Sequence, residues 1–505
     1  MKKRFKVLRI NFALMLLLSL ILAACSSESS QTSENDSNDS KGTEEYDLTV
    51  AFPYFYGEPA DMELVQDEIN KIVKEKINAT VDFVPLSLSA YRQQMNLMLT
   101  SNEKLDLAVV LGDQLSPQVS RGQLHEIDDQ IEKYGKGIVD AVGTEYLNAT
   151  KVDGKQYSVP SVRDLASSYG FVMVKEIVDK YNIDVNNIKT LEDMGEVLRK
   201  VKENEPDMTP LVSTNPGTSI VENLQSYDLL SDGNGVLPNY DNDLKVTNLY
   251  EMPEYVDMLK TIREWYQDGL ILKDIATTQT TKNELVKAGK VFAWTNNLKP
   301  GIENQQTREI GKEVVAVEIV PPVATTSQVT NIMWGVPRNS ENPEKAVEFL
   351  NLLYTDKEVF NLLNWGIEGK HYVKVSDEVI KYPEGVTSEN VKYSFNTSWL
   401  FGNAFLSYVF EGENPDIWEE TKKFNEEALK SKALGFNFNS DPVRTEFATV
   451  TNVLDQFQLG LETGTVDFDK QYPKFIEQLE AAGIEKIMKE KQKQLDEWAK
   501  TNGGE

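Results

Sequence analysis

The stretch DLTVAFPYFYGEP, residues 47–59, carries the pattern from which the rest of this chain can be understood. Its first six residues are an apolar run typical of a buried strand, which ends at the Pro and Gly that follow. Apolar residues then recur at helical spacing behind Asp61, a predicted N-cap, and ATVDFVP alternates as a second strand would. SAYRQQMNLMLTS predicts another helix, and LDLAVVLG predicts a third strand. Strands that alternate with helices in this order predict a parallel sheet with helical crossovers.

The mixed pattern of strands and helices continues beyond this first sheet. KVDGKQYSVP, residues 151–160, places Asp153-Gly154 between alternating residues and predicts a hairpin. Further on, helices are predicted at TLEDMGEVLRKVKEN and PEKAVEFLNLLY, and strands at KVFAWTNN and VAVEIVPP. The last third is mostly helical, so the pattern indicates an α/β body with a helical C-terminal part.

The composition limits the classes of function that this chain can have. At 505 residues it is long enough for about two to four domains. Its 52 basic and 80 acidic residues give a net charge of −28, which argues against nucleic-acid binding and against direct adhesion to anionic lipid. A polyanionic ligand would need a local basic pocket. With one cysteine and two histidines the chain cannot build an internal disulfide, a thiolate zinc site or a His-rich metal site, so we expect no metal and no cofactor.

The first 25 residues have the composition of a targeting segment. Positions 1–9 are basic without an acidic residue, and the apolar run at 10–22 is too short for a membrane span of about 20 residues. The sequence Leu-Ala-Ala-Cys that ends at Cys25 resembles the bacterial lipobox. This resemblance implies a lipoprotein signal peptide at residues 1–24, cleavage before Cys25, and lipid attachment, palmitate among the acyl chains, at that cysteine. An ordinary secreted protein with a stray cysteine is the alternative.

A polar segment follows the lipobox. Residues 26–45 contain no apolar side chain, so they cannot bury anything and we expect residues 25–45 to form a disordered tether. A tether of this kind would let a folded body sit above the membrane and still reach a partner embedded in it.

Polar and aromatic residues stand where the predicted strands end, which is where open parallel sheets bind ligands. Aromatic faces cover the apolar CH patches of sugars, while carboxylates, amides and Arg bind hydroxyl groups. The recurrence of this mixture favours a polar, ring-bearing ligand, although core packing explains any single aromatic residue equally well. The candidates at strand ends are Tyr54, Phe55, Asp113, Gln114, Arg163, Asp164, Trp294, Asn296 and Trp334, and later segments add Trp365, Glu368, Trp399, Phe436 and Asn437.

No signature of catalysis accompanies these candidates. The sequence has no G-x-S-x-G elbow, H-E-x-x-H, Walker A or Rossmann glycine pattern. Carboxylate pairs for glycoside cleavage are always available among 80 acidic residues, so their presence decides little. A cell-surface glycoside hydrolase or lyase stays an alternative to a non-catalytic binding protein. A receptor for a peptide or another non-sugar solute is a second alternative, and a sensor that presents bound sugar to a membrane kinase is a third.

The segment NWGIEGKHY, residues 364–372, holds one of the two histidines beside a Trp and a Glu. It follows two helical segments, and its two glycines permit sharp turns that a side chain would block. We interpret Trp365 and Glu368 as edges of a binding cleft, with packing as the alternative. We interpret His371 as structural because no nucleophile signature accompanies it.

Several motifs together resemble the family 1 extracellular solute-binding proteins, the receptors of carbohydrate ABC importers. VDGKQYSVP, EWYQDGLI, VFAWTNN and MWGVPRNSENPEKAVEFLNLLY occur in that order behind the lipobox and tether. NWGIEGKHY, GFNFNSDPVRTE and FIEQLEAAGIEKIMKEKQKQLDEW are similar to the LipO/LplA-type branch with its C-terminal domain of unknown function. The resemblance covers nearly all of residues 46–500.

The resemblance implies a type II periplasmic-binding-protein-like fold, in which two α/β lobes hold the ligand in the cleft between them. Lobe 1 would comprise residues 46–160 and about 320–360, and lobe 2 residues 161–320. Residues 361–505 would form a mostly helical region that packs on lobe 2 and borders the cleft.

The resemblance also implies a location and partners. The protein would be a monomer, lipid-anchored at the extracellular face of the cell membrane of a bacterium, which the family implies to be Gram-positive. It would deliver an oligosaccharide or related sugar to the permease subunits of an ABC importer, without catalysis. We expect that changing Trp334 or Trp365 to Ala weakens ligand binding by more than about tenfold without unfolding the protein.

Overall fold

The computed structural model describes residues 45–55, 57–101 and 103–502. The predicted signal peptide, Cys25 and the tether up to residue 44 lie outside the described residues. Within these ranges no helix is both long and apolar enough to cross a membrane, and no group of three or more His, Cys, Asp or Glu side chains is placed to hold a metal ion.

The strands of the described ranges are numbered in chain order. They are β1 Tyr46–Tyr54, β2 Ala79–Ser87, β3 Leu107–Leu111, β4 Lys151–Val152, β5 Lys155–Gln156, β6 Ser158–Pro160, β7 Ser167–Val174, β8 Thr209–Val212, β9 Tyr227–Asp228, β10 Leu237–Pro238, β11 Val291–Leu298, β12 Val314–Ala324, β13 Ile332–Gly335, β14 Val373–Lys374, β15 Val379–Lys381, β16 Val409–Phe410 and β17 Leu429–Lys430.

The α-helices of the same ranges are numbered in the same way. They are α1 Met62–Ile77, α2 Leu88–Thr100, α3 Leu115–Ser120, α4 Asp128–Tyr134, α5 Lys136–Val142, α6 Thr144–Asn148, α7 Lys175–Lys180, α8 Leu191–Asn204, α9 Pro253–Gln267, α10 Lys282–Lys287, α11 Ile302–Ile310, α12 Thr326–Val329, α13 Pro343–Thr355, α14 Lys357–Trp365, α15 Ile417–Glu427, α16 Arg444–Glu462, α17 Phe468–Ala482 and α18 Ile484–Asn502.

The first five-stranded sheet has the order β2-β1-β3-β13-β6 and forms the centre of lobe 1. β1 pairs in parallel with β2 and with β3, so the predicted strand–helix–strand arrangement is confirmed. β13 runs antiparallel to both β3 and β6, because the chain returns to this sheet from the other lobe. Helices α1 and α13 pack against the sheet, and the strands are almost continuously apolar because both faces are covered.

The second five-stranded sheet has the order β17-β12-β7-β11-β8 and forms the centre of lobe 2. β7 is antiparallel to both of its neighbours, β11 and β12, whereas β8 pairs in parallel with β11. The core around this sheet includes Phe171, Leu211, Phe292 and Trp294. The fold is therefore mixed α/β with two sheets, each enclosed in its own hydrophobic core.

The chain crosses between the two lobes three times. The first crossing, residues 161–166, joins β6 to β7, and the second, residues 325–331, joins β12 to β13. The third leads from α15 into β17, which pairs in parallel with the end of β12. Since β12 extends to Ala324 in lobe 2, the second crossing begins a few residues later than the expected boundary near 320.

The C-terminal region has contacts with both lobes, whereas we expected residues 361–505 to pack on lobe 2 and border the cleft. Phe395 and Phe401 belong to the lobe 1 core, where their rings meet Phe52 edge-on at centroid distances of 5.4 and 5.1 Å. Edge-to-face pairs of this kind stabilise by about 0.5–1.5 kcal/mol each beyond the area they bury. Helices α16 to α18 pack on lobe 2, where Val450 and Phe475 are fully buried.

Candidate functional site

The strand ends of the two sheets face each other across the crossings. In lobe 1 the strands β1, β3 and β6 end on the side from which the first crossing leaves. In lobe 2 the strands β8, β11 and β12 end on the side to which that crossing leads. The first two crossings are only six and seven residues long, so the two edges lie close together. In open α/β sheets this is where ligands bind.

A pocket of about 410 Å³ lies beside the lobe 2 sheet, between it and α15, and we call it the cleft pocket. From lobe 2 it is lined by Ser168, residues 298–304, Ala316 and Glu318. Its other wall is formed by Asn414, Glu420 and Phe424, and Phe424 packs against the lobe 1 core. Its volume is that of a small-molecule site, and its lining mixes apolar, amide and charged side chains.

Two predicted residues of the first crossing form the charged centre of this region. Asp164 accepts from Arg163 at 3.2 Å and pairs with Lys299 of the cleft pocket at 3.2 Å. Burial alone would raise the pKa of Asp164, but the charges of Lys299 and Arg163 outweigh it and hold the pKa below its usual range. Asp164 is therefore a carboxylate that ties the crossing to lobe 2.

The first crossing is also fastened to α15. The side chain of Asn425 donates to the carbonyl of Arg163 at 2.6 Å and accepts from the amide of Leu165 at 2.8 Å. The carbonyl of Asn425 in turn accepts from the hydroxyl of Tyr146 at 2.8 Å. We did not predict Asn425 or Lys299 from the sequence, because an Asn inside a helix and a Lys in a Pro-Gly turn are both typical of solvated surface.

Four predicted residues lie at the lobe 1 edge of the cleft region. Arg92 binds Asp113 with two hydrogen bonds, at 2.5 and 3.0 Å, and both side chains are more than half exposed. Gln114 donates to the same carboxylate at 2.8 Å. Phe55, in the turn after β1, meets Trp399 edge-on at 4.9 Å, and both rings are partly exposed. This edge therefore carries a partly exposed aromatic pair and an exposed ion pair.

The predicted residues Tyr54, Asn296, Glu368 and Asn437 take varied positions. Tyr54 is half-buried at the end of β1, and Asn437 is half-buried in the loop before α16. Asn296 is buried, donates to the carbonyl of the next residue at 2.7 Å, and lines a second pocket inside lobe 2. Glu368 is exposed and pairs with Lys374 at 3.2 Å.

The structure places four predicted aromatic residues inside hydrophobic cores, which corrects the expectation that they face a ligand. Trp294 and Trp334 have no exposed surface, and Trp365 and Phe436 are 6% and 2% exposed. The indole of Trp334 donates to the carbonyl of Leu400 at 2.8 Å. A ligand could reach these rings only if the cores opened, so we do not retain them as binding residues.

The segment NWGIEGKHY forms a packed turn. The imidazole Nδ1 of His371 accepts from the amide of Ile367 at 2.9 Å, so Nε2 carries the hydrogen and meets Asp61 at 3.1 Å. Burial lowers the pKa of His371 more than Asp61 raises it, so the imidazole is neutral at pH 7. Gly366 has φ +86°, and a Cβ there would lie 2.4 Å from the imidazole. The histidine thus has the structural role that we inferred.

Comparison with known proteins gives matches over most of the chain. A family model described as a bacterial extracellular solute-binding protein matches residues 68–380, and a domain of unknown function matches residues 432–500. The chain is 30% identical over 469 residues to a carbohydrate ABC transporter substrate-binding protein of Streptococcus pneumoniae, covering 91% of this chain and 93% of that protein. It is 23% identical over 457 residues to lipoprotein LipO of Bacillus subtilis, covering 86% and 88%.

Solved structures extend the comparison to the fold. The N-glycan transport solute-binding protein NgtS of Streptococcus pneumoniae superposes with a TM-score of 0.79 and 29% identity, covering 90% of this chain and all of that chain. The same protein in complex with Man1GlcNAc gives 0.69 at 29% identity, with the same coverage. Its complex with Man5GlcNAc gives 0.66 at 28% identity, covering 91% of this chain and all of that chain.

Proposed function

Because the chain belongs to the bacterial extracellular solute-binding proteins, we propose that it captures an oligosaccharide between its two lobes and hands the bound sugar to the permease of an ABC importer. The observation that carries this proposal is the cleft pocket, which lies beside the lobe 2 sheet and is closed by α15, whose Phe424 packs against the lobe 1 core. The names of the relatives support a sugar as the solute, and N-glycan fragments are the first ligands to test.

The lining of the cleft suits a sugar. Glu318, Glu420 and Asn304 supply acceptors and an amide for hydroxyl groups, while Phe424 supplies apolar surface for CH faces. Outside the pocket, the partly exposed Phe55–Trp399 pair of lobe 1 is a further apolar surface for a longer sugar. Lys299 offers a donor that its pairing with Asp164 holds in place. Amides and carboxylates that bind hydroxyls also reject ligands that lack them, because buried polar groups would be left unpaired.

Capture works through closure of the lobes. A ligand in the cleft pocket touches both walls fully only when the lobes approach, so its binding free energy favours the closed form. The three crossings are the segments about which such a rotation would turn.

We further propose that the receptor acts at the extracellular face of the membrane, anchored by lipid at Cys25, as a monomer that releases its ligand chemically unchanged. The lipobox sequence and the similarity to a Bacillus lipoprotein support the anchor. The absence of catalysis follows the solute-binding family and the lack of a nucleophile signature in the sequence.

The experiment is calorimetric titration of the purified protein with Man1GlcNAc and Man5GlcNAc, with cellobiose as the control sugar. We expect saturable binding of at least one glycan and recovery of the intact sugar by mass spectrometry. Binding of neither glycan overturns an N-glycan ligand, and hydrolysed product at a rate above the buffer blank overturns the non-catalytic role. A rise in melting temperature with ligand gives an independent measure of the same binding.

A further inference from the structure

A second pocket, of about 420 Å³, opens inside lobe 2, and we call it the lobe-2 pocket. It lies between the loop at residues 214–216 that follows β8, the start of α10, the end of β11, and α11. It shares Lys299 and Ile302 with the cleft pocket, so the two pockets adjoin at the end of β11. All of its lining residues belong to lobe 2, so its shape does not depend on whether the lobes are open or closed.

The lobe-2 pocket is lined mainly by side-chain amides. Each amide offers a carbonyl acceptor and an N–H donor pair, which is the combination that sugar hydroxyl groups need. The six amides are Asn215, Asn283, Asn296, Asn297, Gln305 and Gln306.

A nearly buried ammonium group orders one wall of this pocket. Lys282 is 8% exposed and donates to Gln306 at 2.8 Å and to Asn283 at 3.0 Å. Gln306 then donates to Glu309 at 3.0 Å, and Gln305 donates to the other oxygen of that carboxylate at 3.1 Å. This chain of hydrogen bonds fixes the amides before a ligand arrives, which lowers the ordering cost of binding.

The pairing of Lys282 differs from that of a lysine with a purely structural role. Lys491, which is fully buried in α18, meets the carboxylate of Asp232 at 2.8 Å and the carbonyl of Gly235 at 3.0 Å. The carboxylate of Glu309, in contrast, is 3.9 Å from Lys282. Burial lowers the pKa of both lysines, so the difference lies in their partners: Lys282 donates to neutral amides, whereas Lys491 meets a carboxylate. An incompletely compensated ammonium beside an open pocket gains from a ligand oxygen.

We propose that the lobe-2 pocket is a second saccharide subsite, which binds a sugar unit of ligands that extend beyond the cleft pocket. The inference rests on the proposed function and adds that the natural ligand is longer than a disaccharide. Because the subsite is complete within one lobe, it holds the sugar in the open form, before the lobes close.

The test compares a disaccharide with a longer glycan in a single-residue variant. Lys282→Met removes the ammonium group and keeps an unbranched side chain of similar length. Lys287→Met, on the exposed end of the same helix, is the matched control. Loss of a hydrogen bond to a charged group corresponds to about a tenfold loss of affinity. In Lys282→Met we expect that loss of affinity for Man5GlcNAc, and a change below about twofold for Man1GlcNAc. In Lys287→Met we expect the affinities for both glycans to stay within about twofold of wild type.

Three outcomes overturn the inference while leaving the proposed function standing. They are unchanged Man5GlcNAc affinity in Lys282→Met, equal losses for both glycans, and the same loss in Lys287→Met. If Lys282→Met fails to fold, Asn283→Ala, at a half-buried position in the same pocket, is held to the same criteria. Failure of the wild-type protein to bind either glycan overturns the N-glycan ligand of the proposed function and the inference with it.

Discussion

Substitution of Trp334 separates a packing role from a ligand-binding role. Its ring is fully buried in the lobe 1 core, 6.5 Å from the ring of Phe52, and its indole donates to the buried carbonyl of Leu400 at 2.8 Å. Truncating a core Trp to Ala costs about 3–5 kcal/mol, and losing one of the two hydrogen bonds to the Leu400 carbonyl, which keeps the Ser161 hydroxyl at 3.0 Å, adds about 0.5–1.5 kcal/mol. Since the free energy of unfolding of a domain is about 5–15 kcal/mol, Trp334→Ala brings lobe 1 close to unfolding.

The milder variant Trp334→Phe keeps a ring in the core and removes the indole donor. Its expected cost is therefore one of the two hydrogen bonds to the Leu400 carbonyl together with a small cavity, about 1–3 kcal/mol in all. Urea unfolding followed by circular dichroism measures this cost as a lower midpoint with an unchanged slope. The glycan affinity of the folded variant, measured by titration below the transition, is expected to stay within about twofold of wild type.

The partly exposed Trp399 is the matched comparison. Trp399→Ala removes one ring of the Phe55–Trp399 pair at the lobe 1 edge, so we expect weaker glycan binding with a small loss of stability. A tryptophan that contacts ligand would give the opposite pattern at position 334. An unchanged urea midpoint in Trp334→Phe, combined with a more than about tenfold loss of affinity, would refute the assignment of Trp334 to the core.

Three further predictions concern the anchor and two buried carboxylates. Cys25→Ser is expected to move the protein from the membrane fraction to the medium, and retention in the membrane fraction would contradict the lipid anchor. Burial raises the pKa of Glu462, so its charge costs stability at neutral pH, and Glu462→Gln should unfold at higher urea at pH 7. This gain should shrink as pH falls from the raised folded pKa and should be absent below the ordinary glutamate pKa. Asp164 has a lowered pKa and stabilises as a carboxylate, so Asp164→Asn should lose about 1–3 kcal/mol at pH 7, after allowance for partial exposure. That loss should disappear as pH falls through the folded pKa of Asp164, and pH-dependent shifts in the same direction for both variants would contradict this reasoning.

The parts of the fold that the sequence predicted well are those whose signals are local. Strand β1, helix α1 and strand β2 follow each other with short connections, so their periodicities alone imply a parallel pair, and the register confirms it. The antiparallel strands β13 and β7 enter their sheets after the chain has crossed between lobes. Their direction depends on the side from which the chain re-enters each sheet, and the hydrophobic pattern of a single strand does not contain this information.

The lobe assignment of the C-terminal region failed for a related reason. Both lobes offer apolar surfaces, so an amphipathic helix or an aromatic loop fits either one by composition. Phe395 and Phe401 pack on lobe 1 because their rings complete an edge-on cluster around Phe52, which comes from a strand more than three hundred residues earlier in the chain. Contacts of this kind are tertiary, and a pattern within one segment does not contain them.

At a strand end, charged side chains stay at least partly exposed more often than aromatic side chains, which also fill the core, so the sequence identified candidate charged residues better than candidate aromatic ones. Arg163 and Asp164 were predicted because they directly follow a strand, where open parallel sheets bind ligands. Trp294 and Asn296 lie two residues apart on one face of β11, yet the ring is enclosed beneath Lys282 while the amide reaches the lobe-2 pocket. A displacement of about 6.6 Å along a strand is enough to separate core from site, and composition does not resolve that distance.

The third crossing changes what closure of the lobes requires. The residues directly after it bind the end of β12 and the second crossing, since the amide of Ser431 donates to the carbonyl of Ala324 at 3.0 Å and the amide of Gly435 donates to the hydroxyl of Thr326 at 2.8 Å. Just before it, Asn425 binds the first crossing. One continuous segment therefore holds both of the other crossings, and any rotation of the lobes must deform it. The domain of unknown function begins at residue 432, within this segment. Its helices pack on lobe 2, so they are connected directly to the crossings about which the proposed closure would turn.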